Sequence, residues 1–310
     1  MNQTTQGAGI LAAALSYVIW GFLPLYWKLL DHVSPGEILS HRIVWSFVFM
    51  IVILFIAKKV KLFWADLKEL ITNRKRFIAI TSASVIISLN WVLYIWAVNT
   101  DQVVQASLGY YINPLISILL GIFVLKEKLT FWQTISFVLA TIGVIYLTVH
   151  FGTIPWIALL LAISFGVYGL IKKMVSLSPM TGLAIETMFI TPIALLFLSF
   201  LHIEGNGVFA SNPSDTFILM GAGIATAVPL LLFASGAKKI PLSMIGFLQY
   251  IAPTLMLIIG VFLYHEPFTK YHLIAFICIW SALAIYYLSK SKPFVAIETK
   301  MFAQKKKYTA

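Results

Sequence analysis

Residues 111–130 read YINPLISILLGIFVLKEKLT, and residues 250–269 read YIAPTLMLIIGVFLYHEPFT. The second stretch repeats the first at a constant offset of 139 residues, and identities continue to Phe137 and Phe276. The matched pairs are Tyr111 with Tyr250, Ile112 with Ile251, Pro114 with Pro253, Gly121 with Gly260, Phe123 with Phe262, Glu127 with Glu266, Thr130 with Thr269, Ile135 with Ile274 and Phe137 with Phe276. An ungapped match of this kind predicts an internal repeat.

The composition of the chain points to a membrane. Of its 310 residues, 60% are hydrophobic and 11% are charged, and the mean hydropathy is +0.94. Soluble domains carry about a quarter charged residues. The net charge of +11 lies in short loops and at the tail, which favours membrane topology and lipid headgroups over nucleic acid as the partner. The one cysteine, Cys278, excludes an internal disulfide and a multi-cysteine metal site.

Apolar segments of about 20 residues, long enough to cross the hydrocarbon region, recur along the chain. We predict an all-α integral membrane protein with ten transmembrane helices. The expected spans are 8–28, 37–57, 76–98, 103–125, 130–149, 153–171, 180–201, 216–237, 241–264 and 269–289. The start of the chain has no basic region before the first span, so we expect a retained helix and not a cleaved signal.

The basic residues orient these spans. With the N-terminus in the cytoplasm, 19 of the 22 Lys and Arg residues fall on the cytoplasmic side. Lys28 and Lys270 fall outside, and Arg42 lies within a span. The positive-inside rule therefore predicts that both termini are cytoplasmic.

Two cytoplasmic segments lie outside the spans. The loop 58–76, KKVKLFWADLKELITNRKR, is expected to form a short interfacial helix with Phe63 and Trp64 toward lipid. The basic tail 291–310 is expected to be disordered.

The repeat divides the chain into a first unit, 1–149, and a second unit, 150–290. Each unit holds five spans, and an odd number forces the second unit to enter the membrane from the opposite side. Glu127 is then expected at the cytoplasmic face and Glu266 at the outer face. Two inverted-topology repeats allow one scaffold two nearly equivalent states, as a carrier requires.

Charged and titratable groups inside a span are functional candidates, because placing them in the hydrocarbon region costs free energy. Arg42 could contact an anionic group or act as a gate, or it could extend to outer headgroups. Glu186 could be a protonatable coupling site or form a structural hydrogen bond between helices. The same alternatives, proton relay or structural group, apply to His41.

Two prolines near the middle of spans four and nine indicate the substrate cavity. Proline frees the carbonyl four residues earlier, here at Tyr110 and Gln249. Irregular backbone at this depth is tolerated where protein or a cavity covers it. We expect hinges or kinks at Gly109, Pro114 and Pro253. The predicted substrate contacts are Trp20, Arg42, Asn90, Trp91, Tyr94, Tyr110, Asn113, Tyr168, Gln249 and Tyr250.

The chemistry-bearing motifs of common enzyme classes are absent from the sequence. It contains no GxxxxGK[ST] phosphate loop, no HExxH or GxSxG motif and no TVGYG-like filter. We therefore predict no enzymatic activity, no metal site and no cofactor.

Ten stretches carry a resemblance to a known family. They are WGFLPLYWK, GEILSHRIVWS, NWVLYIWAVN, SLGYYINPL, KEKLT, ISFGVYGLIKK, ETMFITP, TAVPLLLFASGAKK, GFLQYIAPT and FICIWSAL. The chain resembles RarD-type members of the EamA group, in the drug/metabolite transporter superfamily. That resemblance implies a bacterial inner membrane and a cavity lined by spans one, three, four, six, eight and nine, with spans five and ten peripheral.

The sequence favours a secondary transporter that exports a small polar metabolite, amino-acid-like or drug-like, by alternating access. Proton coupling and exchange both remain open, as does the oligomeric state. The alternatives are a channel, a lipid flippase or scramblase, and a membrane scaffold that transports nothing. Membrane lipid and a small-molecule substrate are the expected partners.

Overall fold

A computed structural model describes residues 3–99, 103–150, 155–265, 268–289 and 291–308, and all regular structure in these ranges is helical. Besides a short 3-10 turn at Lys28–Leu30, the helices are α1 (Gln3–Trp27), α2 (Pro35–Ile56), α3 (Val60–Thr72), α4 (Arg74–Asn99), α5 (Val103–Phe123), α6 (Phe131–His150), α7 (Trp156–Met174), α8 (Pro179–Ile203), α9 (Pro213–Lys239), α10 (Leu242–Gln249), α11 (Ile251–Phe262), α12 (Lys270–Leu288) and α13 (Lys292–Tyr308).

Local sequence signals set where three of these helices begin. Helices α2, α8 and α9 each have proline at the first helical position, where its missing N–H removes no helical hydrogen bond. The preceding residues Ser34, Ser178 and Asn212 each accept a hydrogen bond from a backbone N–H of the first turn. The predicted starts of these spans, 37, 180 and 216, lie within three residues of the observed ones.

The described part of the chain is a multi-pass membrane protein by the length and composition of its helices. Nine of its segments are long and apolar enough to cross a membrane. The apolar segment of helix α5, Leu108–Phe123, is shorter than these nine. The segment predicted as span nine is divided, because α10 ends at Gln249 and α11 begins at Ile251. Pro114, in contrast, lies inside one continuous helix.

Small residues let the membrane helices approach closely, as in other helical membrane proteins. Gly223 of α9 lies against the backbone of α2, where a Cβ atom would come within 2.6 Å of the Ser46 nitrogen. Gly246 of α10 lies against α5, where a Cβ would come within 2.6 Å of the Pro114 carbonyl oxygen. These contacts pack α2 on α9 and α5 on α10.

The helix ends fall at two ends of the bundle, which we call the His32 end and the Lys58 end. Helices α1 and α9 are antiparallel: Tyr26 donates to the carbonyl of Ile218 at the His32 end, and Gly9 contacts Lys239 at the Lys58 end. The α1–α2 connection lies at the His32 end, and the α2–α3 connection lies at the Lys58 end.

Two expectations about the segments outside the predicted spans, 58–76 and 291–310, are wrong. Phe63 of α3 is buried in the helical core, and only Trp64 is largely exposed, because one face of this amphipathic helix packs on the bundle. The tail forms helix α13 through residue 308. Trp132 donates its indole N–H to the Phe294 carbonyl at 3.1 Å, which fixes α13 against the start of α6.

Candidate substrate cavity

A cavity of about 340 Å³ lies in the middle of the helical bundle. Pockets of a few hundred Å³ are typical for small-molecule ligands. Helices α1, α2, α4, α5, α7, α9, α10 and α11 contribute its lining. The six spans that the family resemblance implied all take part, and α2 adds a seventh. No described residue of α6 or α12 lines this cavity.

The cavity lies toward the His32 end of the molecule. Helix α2 contributes residues from its first third, up to Arg42, and α5 contributes none beyond Asn113. Helix α10 contributes only its last residue, Gln249. The lining therefore stops near the middle of the bundle and does not continue to the Lys58 end.

Ten of the residues predicted from the sequence line this cavity together. They are Trp20, Arg42, Asn90, Trp91, Tyr94, Gly109, Tyr110, Asn113, Gln249 and Pro253. Their contact with a substrate stays a prediction, but these residues of six helices share one space.

Arg42 is the charged group of this lining among the described residues. Its Nε donates a hydrogen bond to Thr226 Oγ1 at 3.0 Å. Its guanidinium carbon lies 4.7 Å from the centre of the Trp27 ring and 5.3 Å from that of Trp91. Cation–π contacts of this kind stabilise a desolvated cation. Arg42 is therefore held in the cavity wall by Thr226 and two indole rings.

Two of the predicted polar residues also hold helices together. The Asn90 amide nitrogen donates to the Leu161 carbonyl at 2.9 Å and to Ser164 Oγ at 2.8 Å, which joins α4 to α7. Gln249 Oε1 accepts from Ser117 Oγ at 3.0 Å and so joins α10 to α5. Part of the hydrogen-bonding capacity of each side chain is already used by the fold.

Asn113 differs from these two amides. Its side chain is buried, lines the cavity and has a carbonyl oxygen without a hydrogen-bond partner in the described structure. A buried amide without a partner is unfavourable unless something else satisfies it. A polar group of a bound molecule, or a water, could do so here.

Aromatic rings form much of the remaining wall. Trp20 lies 5.4 Å from Tyr17 and 5.8 Å from Phe165, measured between ring centres. Tyr94 and Tyr110 form a T-shaped pair at 6.1 Å on another part of the wall. Such a lining suits a flat or apolar body better than a strongly hydrated one.

Glu186 and Tyr168 lie outside the main cavity. Glu186 accepts from Lys172 Nζ at 2.7 Å and from the Tyr168 hydroxyl at 3.2 Å. Tyr168 and Glu186 line a much smaller cavity of about 10 Å³, which shares Trp91 and Thr226 with the main one. Tyr168 is directed away from the substrate cavity because its hydroxyl serves this carboxylate.

His41, Tyr250 and Pro114 also lie outside the cavity. His41 is buried, and its ring stacks on Phe209 at 4.5 Å. Tyr250 is buried at the junction of α10 and α11, within the apolar cluster that contains residues of α5, α6 and α12. A tyrosine at the junction faces this cluster because Gln249, one residue earlier, faces the cavity.

The Lys58 end is closed by hydrogen bonds between helix ends. Lys173 Nζ donates to the Ala237 carbonyl at 3.1 Å, and Lys238 Nζ donates to the Val175 carbonyl at 2.7 Å, so that α7 and α9 hold each other. Glu127 accepts from the backbone N–H groups of Leu242 and Ser243 at 2.7 and 2.8 Å. These two bonds cap the first turn of α10; the repeat counterpart of Glu127, Glu266, lies outside the described residues.

Sequence reasoning missed three residues that matter here: Trp27, Lys172 and Thr226. Trp27 precedes Lys28 at the predicted end of a span, which is typical of an aromatic belt residue. Lys172 was assigned to the basic cytoplasmic flank, although it lies one turn after Tyr168, the spacing of neighbours on a helix face. Thr226 carries no signal in the sequence that distinguishes it from other threonines.

The fold and the cavity define a helical membrane protein with a central ligand-sized space. A model of the EamA-like transporter family matches residues 7–149 and 153–288, and the chain belongs to that family. The chain is 49% identical to YojE of Bacillus subtilis, an uncharacterized transporter, over 94% of this chain and 97% of that protein. It is 42% identical to the protein RarD of Escherichia coli, over 92% and 95%.

The fold itself recurs in a solved structure. A crystal structure of a protein with 17% identity superimposes with a TM-score of 0.69, covering 93% of this chain and 99% of the other. That likeness concerns the fold.

Proposed function

We propose that this protein is a secondary carrier that moves a small polar metabolite across the bacterial inner membrane by alternating access, and that it works as an exporter. Its two units, 1–149 and 150–290, form inverted five-helix repeats. Helix α5 and the α10–α11 pair complete the ten spans. Both termini are cytoplasmic, so the Lys58 end faces the cytoplasm.

The pattern of helix contacts supports the inverted repeats. The helices α1, α2, α4, α5 and α6 would correspond to α7, α8, α9, α10–α11 and α12. Each contact between the units that involves only these helices then has its counterpart. Helix α1 packs on α9 as α7 packs on α4, and α2 packs on α9 as α8 packs on α4. Helices α2 with α8, α5 with α10, and α6 with α12 pair with their own counterparts. A pseudo-twofold axis between the units would produce this pattern.

The observation that carries the proposal is the asymmetry of the cavity. Its lining reaches toward the His32 end, whereas Lys173, Lys238 and Glu127 hold the Lys58 end closed. In a carrier, this is the outward-facing state, and the inward-facing state exchanges the two ends. A channel would instead need lining residues along the whole bundle, and the described lining does not continue to the Lys58 end.

The proposal includes two ways to drive transport: coupling to protons and exchange of substrates. Glu186 lies next to the cavity, behind Trp91 and Thr226, where a change in its protonation would act on the cavity wall. His41 is the second candidate for a proton site. Exchange of one substrate for another needs neither group.

Flux measurements in liposomes test the carrier directly. Vesicles containing the purified protein would be loaded with a low-molecular-weight extract of bacterial cells, and the compounds that leave would be identified by mass spectrometry. A carrier gives saturable efflux that an identical compound outside accelerates. Arg42→Gln should abolish this flux, whereas Arg76→Gln should preserve it, since Arg76 is a partly exposed arginine that pairs with Glu69 at the Lys58 end. Efflux that is linear with concentration and shows no trans-stimulation would refute the carrier.

A further inference from the structure

The charge of Arg42 has no opposite charge beside it. No described carboxylate lies within ion-pair distance of its guanidinium, and no described residue of the cavity lining is acidic. An arginine side chain stays protonated in proteins. A cation taken out of water without a counter-charge is unfavourable. The cavity therefore has a net positive charge that a ligand can neutralise.

The hydrogen-bond donors of Arg42 are mostly free. A guanidinium offers five N–H donors. One of these, on Nε, is donated to Thr226, and the structure gives the terminal nitrogens no protein acceptor in the described residues. The Thr226 bond and the two indole rings fix the orientation of the group. A fixed guanidinium with free terminal nitrogens is the arrangement that binds a carboxylate with two parallel hydrogen bonds.

Further donors lie near the same place. The phenol groups of Tyr94 and Tyr110 are close enough to Arg42 to interact with it electrostatically, and they hydrogen-bond to each other, which leaves one hydroxyl hydrogen of the pair for a ligand. A phenol hydroxyl can donate to an anionic oxygen. Because the cavity has one arginine and no lysine among its described lining residues, the charge that it matches is a single negative one.

The rest of the cavity suits an uncharged body. Trp20, Tyr17 and Phe165 present aromatic surface, and the unpartnered amide of Asn113 offers one polar contact. An ammonium group on the ligand would find no carboxylate among the described lining residues.

We infer that the substrate is an organic monoanion: a small molecule with one carboxylate bound by Arg42 and an uncharged, largely aromatic or apolar body. This inference rests on the proposed function. It narrows the expected substrate from amino-acid-like compounds, which are zwitterions, to net anions.

Matched compounds that differ only in charge test the inference. The melting temperature of the purified protein and its affinity for each compound would be measured. The compounds contain one of four uncharged groups: phenyl, 4-hydroxyphenyl, indole or a linear alkyl chain. Each group would be supplied as the acetate anion, the neutral acetamide, the ethylamine cation and the α-amino acid zwitterion. A ligand that binds only the folded protein raises its melting temperature. We expect at least one acetate to raise it and to bind roughly tenfold or more tightly than its amide, because a hydrogen-bonded charge is lost in the amide.

Variants of Arg42 test whether the rise in melting temperature comes from binding in the cavity. Arg42→Gln should remove the shift caused by the anion, and Arg42→Lys should reduce it, since a lysine cannot form the two parallel bonds. Arg76→Gln should leave the shift intact, which controls for general loss of positive charge. If no anion of the panel causes a shift that depends on Arg42, or if an amide, amine or zwitterion binds as tightly as its anion, the inference is wrong. Saturable, trans-stimulated efflux of a neutral or zwitterionic compound would then leave the carrier proposal standing.

Discussion

The ammonium nitrogen of Lys172 lies 2.7 Å from a carboxylate oxygen of Glu186, and both side chains are buried, with 4% and 3% of their surface exposed. The two residues belong to α7 and α8 of the second unit. The Tyr168 hydroxyl donates to the other carboxylate oxygen of Glu186 at 3.2 Å. This ion pair joins the two helices immediately beside the cavity wall.

Removal of one partner of this pair should destabilise the protein. Glu186→Ala leaves a buried, unpaired lysine, and a loss of about 3–5 kcal/mol in unfolding free energy is typical of such a change. Lys172→Met combined with Glu186→Leu should cost much less, because no charge remains buried. Thermal unfolding in detergent of wild type, Lys172→Met, Glu186→Leu and the double variant measures the coupling. Additive costs, with the double variant destabilised by the sum of the two single variants, would mean that the pair is not a unit.

The contact between Gly223 and α2 should not tolerate a side chain. A Cβ atom at residue 223 would come within 2.6 Å of the Ser46 nitrogen, which belongs to rigid backbone. We expect Gly223→Ala to lower the unfolding free energy by about 1–3 kcal/mol, as overpacking does.

A glycine of α1 provides the matched control. A Cβ at Gly7 would meet no atom within 4 Å, so Gly7→Ala should be neutral or slightly stabilising. Melting temperatures of both variants check the prediction, and a Gly223→Ala protein as stable as wild type would contradict the helix packing.

Glu127 should stabilise the start of α10 and the closed Lys58 end. It accepts hydrogen bonds from two N–H groups of the first helical turn, at Leu242 and Ser243. Glu127→Ala should cost about 1–2 kcal/mol, as the loss of a helix cap does. Hydrogen exchange should quicken at residues 242–245 in this variant and stay unchanged in Glu204→Ala, which alters an exposed glutamate of another helix end. Unchanged exchange in α10 would contradict the cap.

The His32 end should contain a pH-dependent contact. His32 Nε2 lies 3.1 Å from an Asp215 carboxylate oxygen, and this hydrogen bond, followed by attraction to the carboxylates of Asp215 and Asp31, raises the pKa of His32 above its usual 6.5. A raised folded-state pKa means that the contact stabilises fully below the unfolded-state pKa and is lost as pH rises through the folded-state value.

Melting temperatures across pH test this sign. The difference between wild type and His32→Gln should be larger near pH 5.5 than near pH 9, since histidine titrates between these values. In an Asp215→Asn background, the same substitution should lose most of its pH dependence. A difference that grows toward alkaline pH would contradict the assignment.

The sequence predicted the helical elements and ten residues of the cavity lining because both depend on local signals. Apolar length located the spans, and the two prolines of the repeat, Pro114 and Pro253, indicated the central helices. Polar side chains inside apolar runs then indicated Arg42 and Asn113. Apolar length and polar residues within apolar runs reflect the energetics of the hydrocarbon region. They can therefore be read from the sequence without knowledge of the tertiary packing.

Partners on different helices could not be predicted in this way. Lys172 looked like a cytoplasmic flank residue, and only the reversal of the chain between α7 and α8 brings it to Glu186. Tyr250 and Tyr111 occupy equivalent repeat positions, but the first lies at a break between helices and the second within a continuous helix. Phe63 was expected to face lipid, because sequence periodicity shows that a helix has an apolar face and does not show what covers it.

Cysteine labelling from the two sides of the membrane tests the central claim of alternating access most directly. In a Cys278→Ala background, Met256→Cys reports the cavity, Ile240→Cys reports the closed Lys58 end, and Lys68→Cys is an exposed control. An impermeant maleimide should label position 256 from the periplasmic side and position 240, slowly, from the cytoplasmic side. A bulky maleimide already attached at 256 should slow labelling at 240 and leave 68 unaffected. Labelling of 256 and 240 from the same side, or labelling at 240 that ignores the modification at 256, would contradict the account.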